Sequence, residues 1–411
     1  EIYTLSLHDA LPIYELIRRF ADLWGLRACG TGLCKSGAAL LPAGNLGVWS
    51  MASTEKKTLR SGYTTGACAA AAAKAALLLL SGKTVPDAVE IPLPGGERHA
   101  FELCRVQKHG EIALVSIVKD AGDDPDVTNG SEVGVELFRQ EAGAAGAVAF
   151  ARGHGVGEVT KPGLALPVGE AAINPVPRRM ILAALDEVMP AAERPALTVR
   201  VFVEHGEILA EKTINHRLGI VGGLSILGTT GIVRPISAKA WTDTIEAAMD
   251  VARAAGLAEI VLSTGRSSEA AVQQKLRMPE EALVMMGDYL EYALKAAGRH
   301  GFARIHLAAM WAKLVKAALA VPQTHVRNGA LEVRDAARLL GRLGLEAPEV
   351  ERLSEANTAR HIFEELRAAG RDDLVLAVAR QAQAQAELWS GLPVELYLVT
   401  SAEGVLLHVP H

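Results

Sequence analysis

Glu259-Ile260-Val261-Leu262-Ser263 runs straight into Thr264-Gly265-Arg266, and the reading of this stretch decides the fold. A brief apolar run that ends in a Thr-Gly turn and hands over to a helical pattern reads as a buried strand followed by a crossover helix. Working outward, residues 240–255 predict a helix before the strand, and 267–276 and 287–297 predict helices after it. Arg304-Ile305-His306-Leu307-Ala308 is a second strand, and 312–319 a further helix. The alternation predicts an α/β domain of Rossmann-like, parallel-sheet type over residues 236–411. Helices at 357–369 and 372–389 and a terminal hairpin, 394–399 with 404–409, complete it. In an open α/β sheet, ligands bind beyond the carboxyl ends of the strands. Ser263, Thr264, Gly265 and Arg266 are therefore candidate cofactor-binding residues, with a simple turn as the plain alternative.

Upstream of residue 235 the pattern changes. Short β-like runs (88–91, 111–118, 146–150, 197–203) are separated by Gly- and Pro-rich turns, with helices predicted from Thr65 to Leu80 and after Pro177 to Glu187. This predicts an α+β domain over 51–235 carrying Gly/Thr-rich ligand loops, followed by the α/β domain.

Residues 1–50 stand apart. EIYTLSLHDALPI resembles a translated sequencing-library adapter, residues 14–50 read as translated upstream DNA, and Met51 reads as the natural start; the whole is excluded from the fold. Glu1, Asp9 and Glu15 occupy the place of a basic signal-peptide region.

The net charge of −5 argues against nucleic acid as a main partner. No apolar run approaches the roughly 20 residues that span a bilayer. Cys68 and Cys104 offer neither a disulfide framework nor a zinc site, and His300, His306 and His325 form no metal-ligand spacing. The expectation is a cytoplasmic protein with no metal site of its own.

Four segments carry the chemistry. Lys119-Asp120-Ala121-Gly122-Asp123-Asp124-Pro125-Asp126-Val127-Thr128-Asn129-Gly130 gathers carboxylates at one sheet edge, or forms a solvated turn. In residues 59–74, Thr64-Thr65-Gly66 feeds an alanine-rich helix whose first N–H groups suit an anion, with Arg60 adding charge. The Gly-x4-Gly-Lys-Ser/Thr spacing of a nucleotide loop is absent. Residues 155–163 and 173–179 place Lys161 near a Gly-rich turn and Arg178 at a Pro-started helix, where guanidinium can grip carboxylate. Residues 215–235 hold Arg217, a second Thr-Thr-Gly in Gly228-Thr229-Thr230-Gly231, and Arg234. Its small residues pack backbone on backbone or on ligand.

In this order the four segments resemble the CbiD family, the cobalt-precorrin-5B C1-methyltransferases of anaerobic cobalamin synthesis, from about Leu59 to about Asn328. The resemblance implies transfer of a methyl group from S-adenosyl-L-methionine to ring carbon C1 of cobalt-precorrin-5B. It implies cationic or N–H-rich partners for the substrate's carboxylate arms: Arg60, Thr64, Thr65, Gly66, Lys161, Arg178, Arg217 and Arg234. Gly228, Thr229 and Thr230 join residues 263–266 as cofactor-binding candidates, and Asp123 and Asp124 are candidate bases. His216 stands where proline is expected, Asn129 where histidine is common, Ala320 where glycine is usual, and Met310 to Lys316 replaces a glycine-rich version; these look like subgroup variation. A homo-oligomer and transient contact with neighbouring pathway enzymes stay open. So do two rival functions. One is an ATP-dependent small-molecule kinase with Mg²⁺ on Asp123, Asp124 or Asp126; the other is a non-catalytic tetrapyrrole carrier.

Overall fold

The computed structural model describes residues 59–235, 237–324 and 331–411. The expectations for residues 1–50 and for His325 lie outside the described residues.

The first half is built around α1 (Thr65–Leu80). Its alanines from Ala67 to Ala76 are fully buried, because a helix apolar all round has no face to give to water. Their small side chains let α1 lie close to a sheet on one side and to α2 (Pro175–Asp186) on the other. The sheet contains β4 (Arg105–His109), β5 (Ile112–Val118), β6 (Glu132–Arg139), β7 (Val148–Arg152) and β9 (Leu197–Val203), in the order β4-β5-β6-β9-β7. All neighbours are antiparallel except β7 with β9. A hairpin of β2 (Ala88–Pro92) and β3 (Arg98–Glu102) covers the flank of α1. Two pairs of two-residue strands pin the long loops. Gly62–Tyr63 (β1) pairs with Ile232–Val233 (β11), and Glu158–Val159 (β8) pairs with Ile220–Val221 (β10). A single turn of helix, α3 (Gly206–Ala210), follows β9.

In the second half, β12 (Glu259–Ser263), β13 (Leu283–Met285), β14 (Arg304–Met310) and β15 (Val394–Thr400) are parallel, in the order β13-β12-β14-β15. β16 (Gly404–Val409) adds an antiparallel edge. α5 (Arg266–Leu276) packs over one face through Val272, against Val261, Ala308 and Tyr397. The opposite face carries α4 (Ala238–Ala254), α6 (Leu290–Arg299), α7 (Trp311–Ala318) and α11 (Asp372–Ser390) in the largest apolar cluster, to which α10 (Ala359–Ala368) adds Ile362 and Leu366. The direction of winding therefore reverses between β12 and β14, the position at which open α/β sheets bind ligands beyond the carboxyl ends of their strands. Helices Val333–Arg342 and Ala347–Ser354 (α8 and α9), and strands β3, β4 and β6, were not read from the sequence. The molecule is a mixed α/β protein with mixed sheets.

Candidate functional site

Three of the four segments meet at one end of the first sheet. β1 lays Gly62 on the backbone of Ala121 and Gly122, so close that a Cβ on Gly62 would fall 2.1 Å from the Ala121 carbonyl carbon. Tyr63 N donates to Asp120 O (2.7 Å), Arg60 N to Asp123 Oδ2 (2.7 Å), and Asp123 N to Arg60 O (2.9 Å). The Arg60 guanidinium grips Asp120 with two nitrogens, and this contact first, then the Gly122 N–H, holds the Asp120 carboxyl below its usual range. Asp123 is exposed, while Asp124 is half-buried. The second Thr-Thr-Gly closes over the first: Gly66 N donates to Leu227 O (2.8 Å), Thr64 N to Gly231 O (3.0 Å), and Leu227 N to Thr65 Oγ1 (2.9 Å).

This arrangement changes the role of the helix entrance. Thr64, Thr65 and Gly66, expected to face an anion, are buried, and Thr64 Oγ1 caps α1 by accepting from Ala67 N (3.1 Å). The physical reason is the alanine-rich helix itself: buried on every side, it must have its first N–H groups satisfied by protein. Thr229, Thr230 and Arg234 stay exposed beside it.

The loop 119–130 hides a pair that its composition conceals. Lys119 Nζ contacts Asp126 Oδ2 and donates to Thr128 Oγ1 (2.7 Å), with both charged side chains fully buried. Burial pushes the Asp126 carboxyl up, but the Lys119 ammonium outweighs it and the group stays below its ordinary value. Asp126 is thereby committed inside the protein, so the three aspartates do not assemble as one cation site. Among the described residues, no group of three or more His, Cys, Asp or Glu side chains is arranged to hold a metal ion. The loop's far end borders a shallow depression of about 460 Å³ lined by Asn129, Gly130, Glu132, Glu204 and His205.

Lys161, Arg178 and Arg217 are each engaged. Arg178 Nε donates to Ile173 O (2.8 Å), and its guanidinium meets Glu170 (2.6 Å) and covers the Phe150 ring. Lys161 and Arg217 reach into the second half. Lys161 Nζ lies 2.8 Å from Glu281, Arg217 Nη1 lies 2.7 Å from Glu269, and His216 lies 3.3 Å from Glu280. One wall presents basic side chains and the other carboxylates, and the Lys161 contact holds Glu281 below the usual carboxylate range. Val159, Leu218, Ile220, Leu227 and Val251 form an apolar seam beside this strip. The Gly155–Gly157 stretch is packing rather than a nucleotide loop: Gly157 N bonds Leu224 O (2.9 Å) and Leu224 N bonds Gly155 O (2.8 Å).

Ser263, Thr264, Gly265 and Arg266 connect β12 to α5 at the reversal of winding. Gly265 caps α5 without a side-chain acceptor, and a Cβ there would meet open space. Thr264 Oγ1 and Ser268 Oγ stand 3.4 Å apart at the helix entrance, and Arg266 is exposed.

Several groups escaped the sequence reading. Tyr63 stacks on His99 at 3.8 Å and shares a 2.8 Å hydrogen bond with its Nδ1; burial raises the phenol and lowers the imidazole. Glu269, Glu280 and Glu281 carried no motif. Asp288, Lys313 and Thr324 gather after β13, with Thr324 Oγ1 donating to Asp288 (2.8 Å). Only the acidic density of residues 119–126 could have signalled Lys119.

Comparison with known proteins supplies the rest. The family model described as CbiD matches residues 52–235, and the model described as CbiD, C-terminal domain, matches 323–410. A cobalt-precorrin-5B C(1)-methyltransferase of Desulfotalea psychrophila is 54% identical over 361 residues, covering 87% of this chain and 99% of the relative. One of Geobacter metallireducens is 48% identical over 358 residues, covering 83% and 96%. A crystal structure of the cobalamin biosynthesis protein cbiD from Archaeoglobus fulgidus is 28% identical and covers 63% of this chain and 79% of that one. Its TM-score of 0.34 is too loose a likeness to bear on the arrangement.

Proposed function

This chain belongs to the CbiD family, and on that premise we propose that it methylates C1 of cobalt-precorrin-5B, with S-adenosyl-L-methionine as donor. The observation that carries the reading is the likeness to a methyltransferase of that name at 54% identity across 99% of the relative's length.

The turn between β12 and α5 fits the donor's chemistry. S-adenosyl-L-methionine brings an α-carboxylate, an α-ammonium group and hydroxyls, and when bound it supplies a sulfonium methyl to an electron-rich carbon. Thr264, Gly265 and Arg266 would hold it, with Ser263 buried behind them: the first turn of α5 offers N–H groups without intrahelical acceptors, and bare Gly265 lets a ligand approach the backbone. Cobalt belongs to the substrate. Arg234, Thr229 and Thr230, exposed near the Arg60–Asp120 pair, supply charge and hydroxyls for its carboxylate arms.

Carbon methylation needs no side-chain nucleophile. The chain's work is to hold the ring carbon near the methyl group, exclude water, and set which tautomer attacks. Asp123, exposed and braced by the Arg60 N–H, can take a proton from the ring system. We take the halves as domains, 51–235 and 236–411, with the two ligands meeting between them.

The test is isothermal titration of the full chain with S-adenosyl-L-methionine and, separately, with ATP and Mg²⁺, followed by mass analysis of cobalt-precorrin-5B after incubation. Binding of the methyl donor and a gain of one methyl group are expected. Binding of ATP alone would move the assignment to a kinase, and corrinoid binding without methyl gain to a carrier.

A further inference from the structure

Glu269 occupies a position that the proposed reaction leaves unexplained. It sits in the first turn of α5, its side chain is 5% exposed, and its two oxygens serve different halves of the molecule. Oε2 accepts from Ser263 Oγ (3.3 Å) at the end of β12, and Oε1 meets Arg217 Nη1 (2.7 Å) from the turn between α3 and β10. Its own N–H donates to Gly265 O (3.0 Å), so one residue bonds to two positions of the 263–266 turn. Arg217 Nε is buried without a hydrogen bond, 3.7 Å from Glu280 Oε1.

A buried carboxylate is costly to desolvate and persists where a partner and a hydrogen bond compensate it. Surface placement would have cost nothing, and the helix needs no buried acid in its first turn. We propose that Glu269 is a positioning residue for the cofactor loop: held by Arg217 of the first half, it fixes the backbone of residues 263–266 through Ser263. Arg217 then acts through Glu269, and not as a direct receptor for a substrate carboxylate. The inference rests on the assignment of residues 263–266 to the methyl donor.

The geometry makes the two side chains one device, so their substitutions must be non-additive. In the full chain, Glu269→Gln and Arg217→Gln each weaken S-adenosyl-L-methionine binding about tenfold, and the double variant is no weaker than the weaker single. Arg217→Lys, which keeps the charge, recovers part of the loss. Hydrogen exchange at residues 263–268 quickens in both glutamine variants, while affinity for a cobalt corrinoid polycarboxylate stays within about twofold. Folded variants with wild-type exchange and wild-type donor affinity overturn the proposal. So does an Arg217→Gln variant that loses corrinoid affinity alone, because that marks Arg217 as a direct substrate contact. If Glu269→Gln does not fold, Ser263→Ala severs the same link from the other side and must also quicken exchange. A wild-type chain that binds no S-adenosyl-L-methionine removes the cofactor assignment, while the exchange measurement still decides whether Glu269 fixes the loop.

Discussion

Gly228 lies against Thr64 so closely that a Cβ on Gly228 would stand 2.3 Å from Thr64 Oγ1. The contact brings the two Thr-Thr-Gly sequences together, with Thr65 and Leu227 bonded across 162 residues of chain. Gly228 also has φ of +129°, a region in which an L side chain is strained. Thr64 caps α1 with the same hydroxyl, so a displaced Thr64 would uncap a buried helix.

Gly228→Ala should therefore destabilise the fold by about 2–4 kcal/mol, combining strain with overpacking. Gly265→Ala is the contrast: its Cβ would meet open space and its backbone is extended, so the change should stay within about 0.5 kcal/mol. Urea midpoints of the two variants decide it. Equal losses would mean that the Thr64 contact is loose in solution.

The Lys119–Asp126 pair is fully buried, so removing one partner strands the other charge. Lys119→Met should cost about 3–5 kcal/mol, and adding Asp126→Leu should recover most of it. Chemical denaturation of the single and double variants measures the difference. A small effect for Lys119→Met alone would show that water reaches the loop.

Glu187 ties three elements together. It follows α2, meets Lys74 of α1 (2.6 Å) and takes two hydrogen bonds from Arg98 of β3 (2.7 and 3.1 Å). The Arg98 hydrogen bonds first, then Lys74, overcome burial and pull its carboxyl down to about 2. A depressed carboxylate contributes stability that is fully present above its unfolded value and lost as pH falls through the folded one. Its share, discounted for partial exposure to about 1–2 kcal/mol, should fade from about pH 4.5 towards pH 2. Glu187→Gln should lower stability at pH 7 and flatten that acid limb. Parallel stability curves for the two proteins between pH 5 and 2 would refute the assignment.

Periodicity carried the second half well, because each element there is set by its own apolar pattern. β12 spans Glu259–Ser263 as read, and the closing hairpin of β15 and β16 begins at the expected residues. α8 and α9 were missed because their buried faces rest on two alanines and a few leucines among charged residues. At the candidate site, the sequence picked out segments that the fold brings together but not what their charges face. Arg60, Arg178, Lys161 and Arg217 read as free cations, since Asp120, Glu170, Glu281 and Glu269 share no spacing with them that a linear pattern can express. The Tyr63–His99 stack is equally invisible, being made by a hairpin that folds back onto β1.

Asp123 offers the sharpest test of the chemistry. Its Oδ2 accepts from the Arg60 N–H at 2.7 Å, and its own N–H returns a bond to Arg60 O, so the side chain both braces a loop and faces solvent. Asparagine keeps an acceptor oxygen for Arg60 but cannot take a proton at neutral pH. If Asp123 handles a proton, Asp123→Asn should lower kcat about a hundredfold while corrinoid affinity stays within about twofold, because general-base catalysis is typically worth that much. If it is only a brace, Asn satisfies the same bond and activity should fall less than about threefold. Asp123→Ala separates the cases further: it removes brace and base together, so it should match Asn in kcat under the first account and fall well below it under the second. Single-turnover rates of methyl transfer, with corrinoid affinity measured on the same samples, distinguish the two.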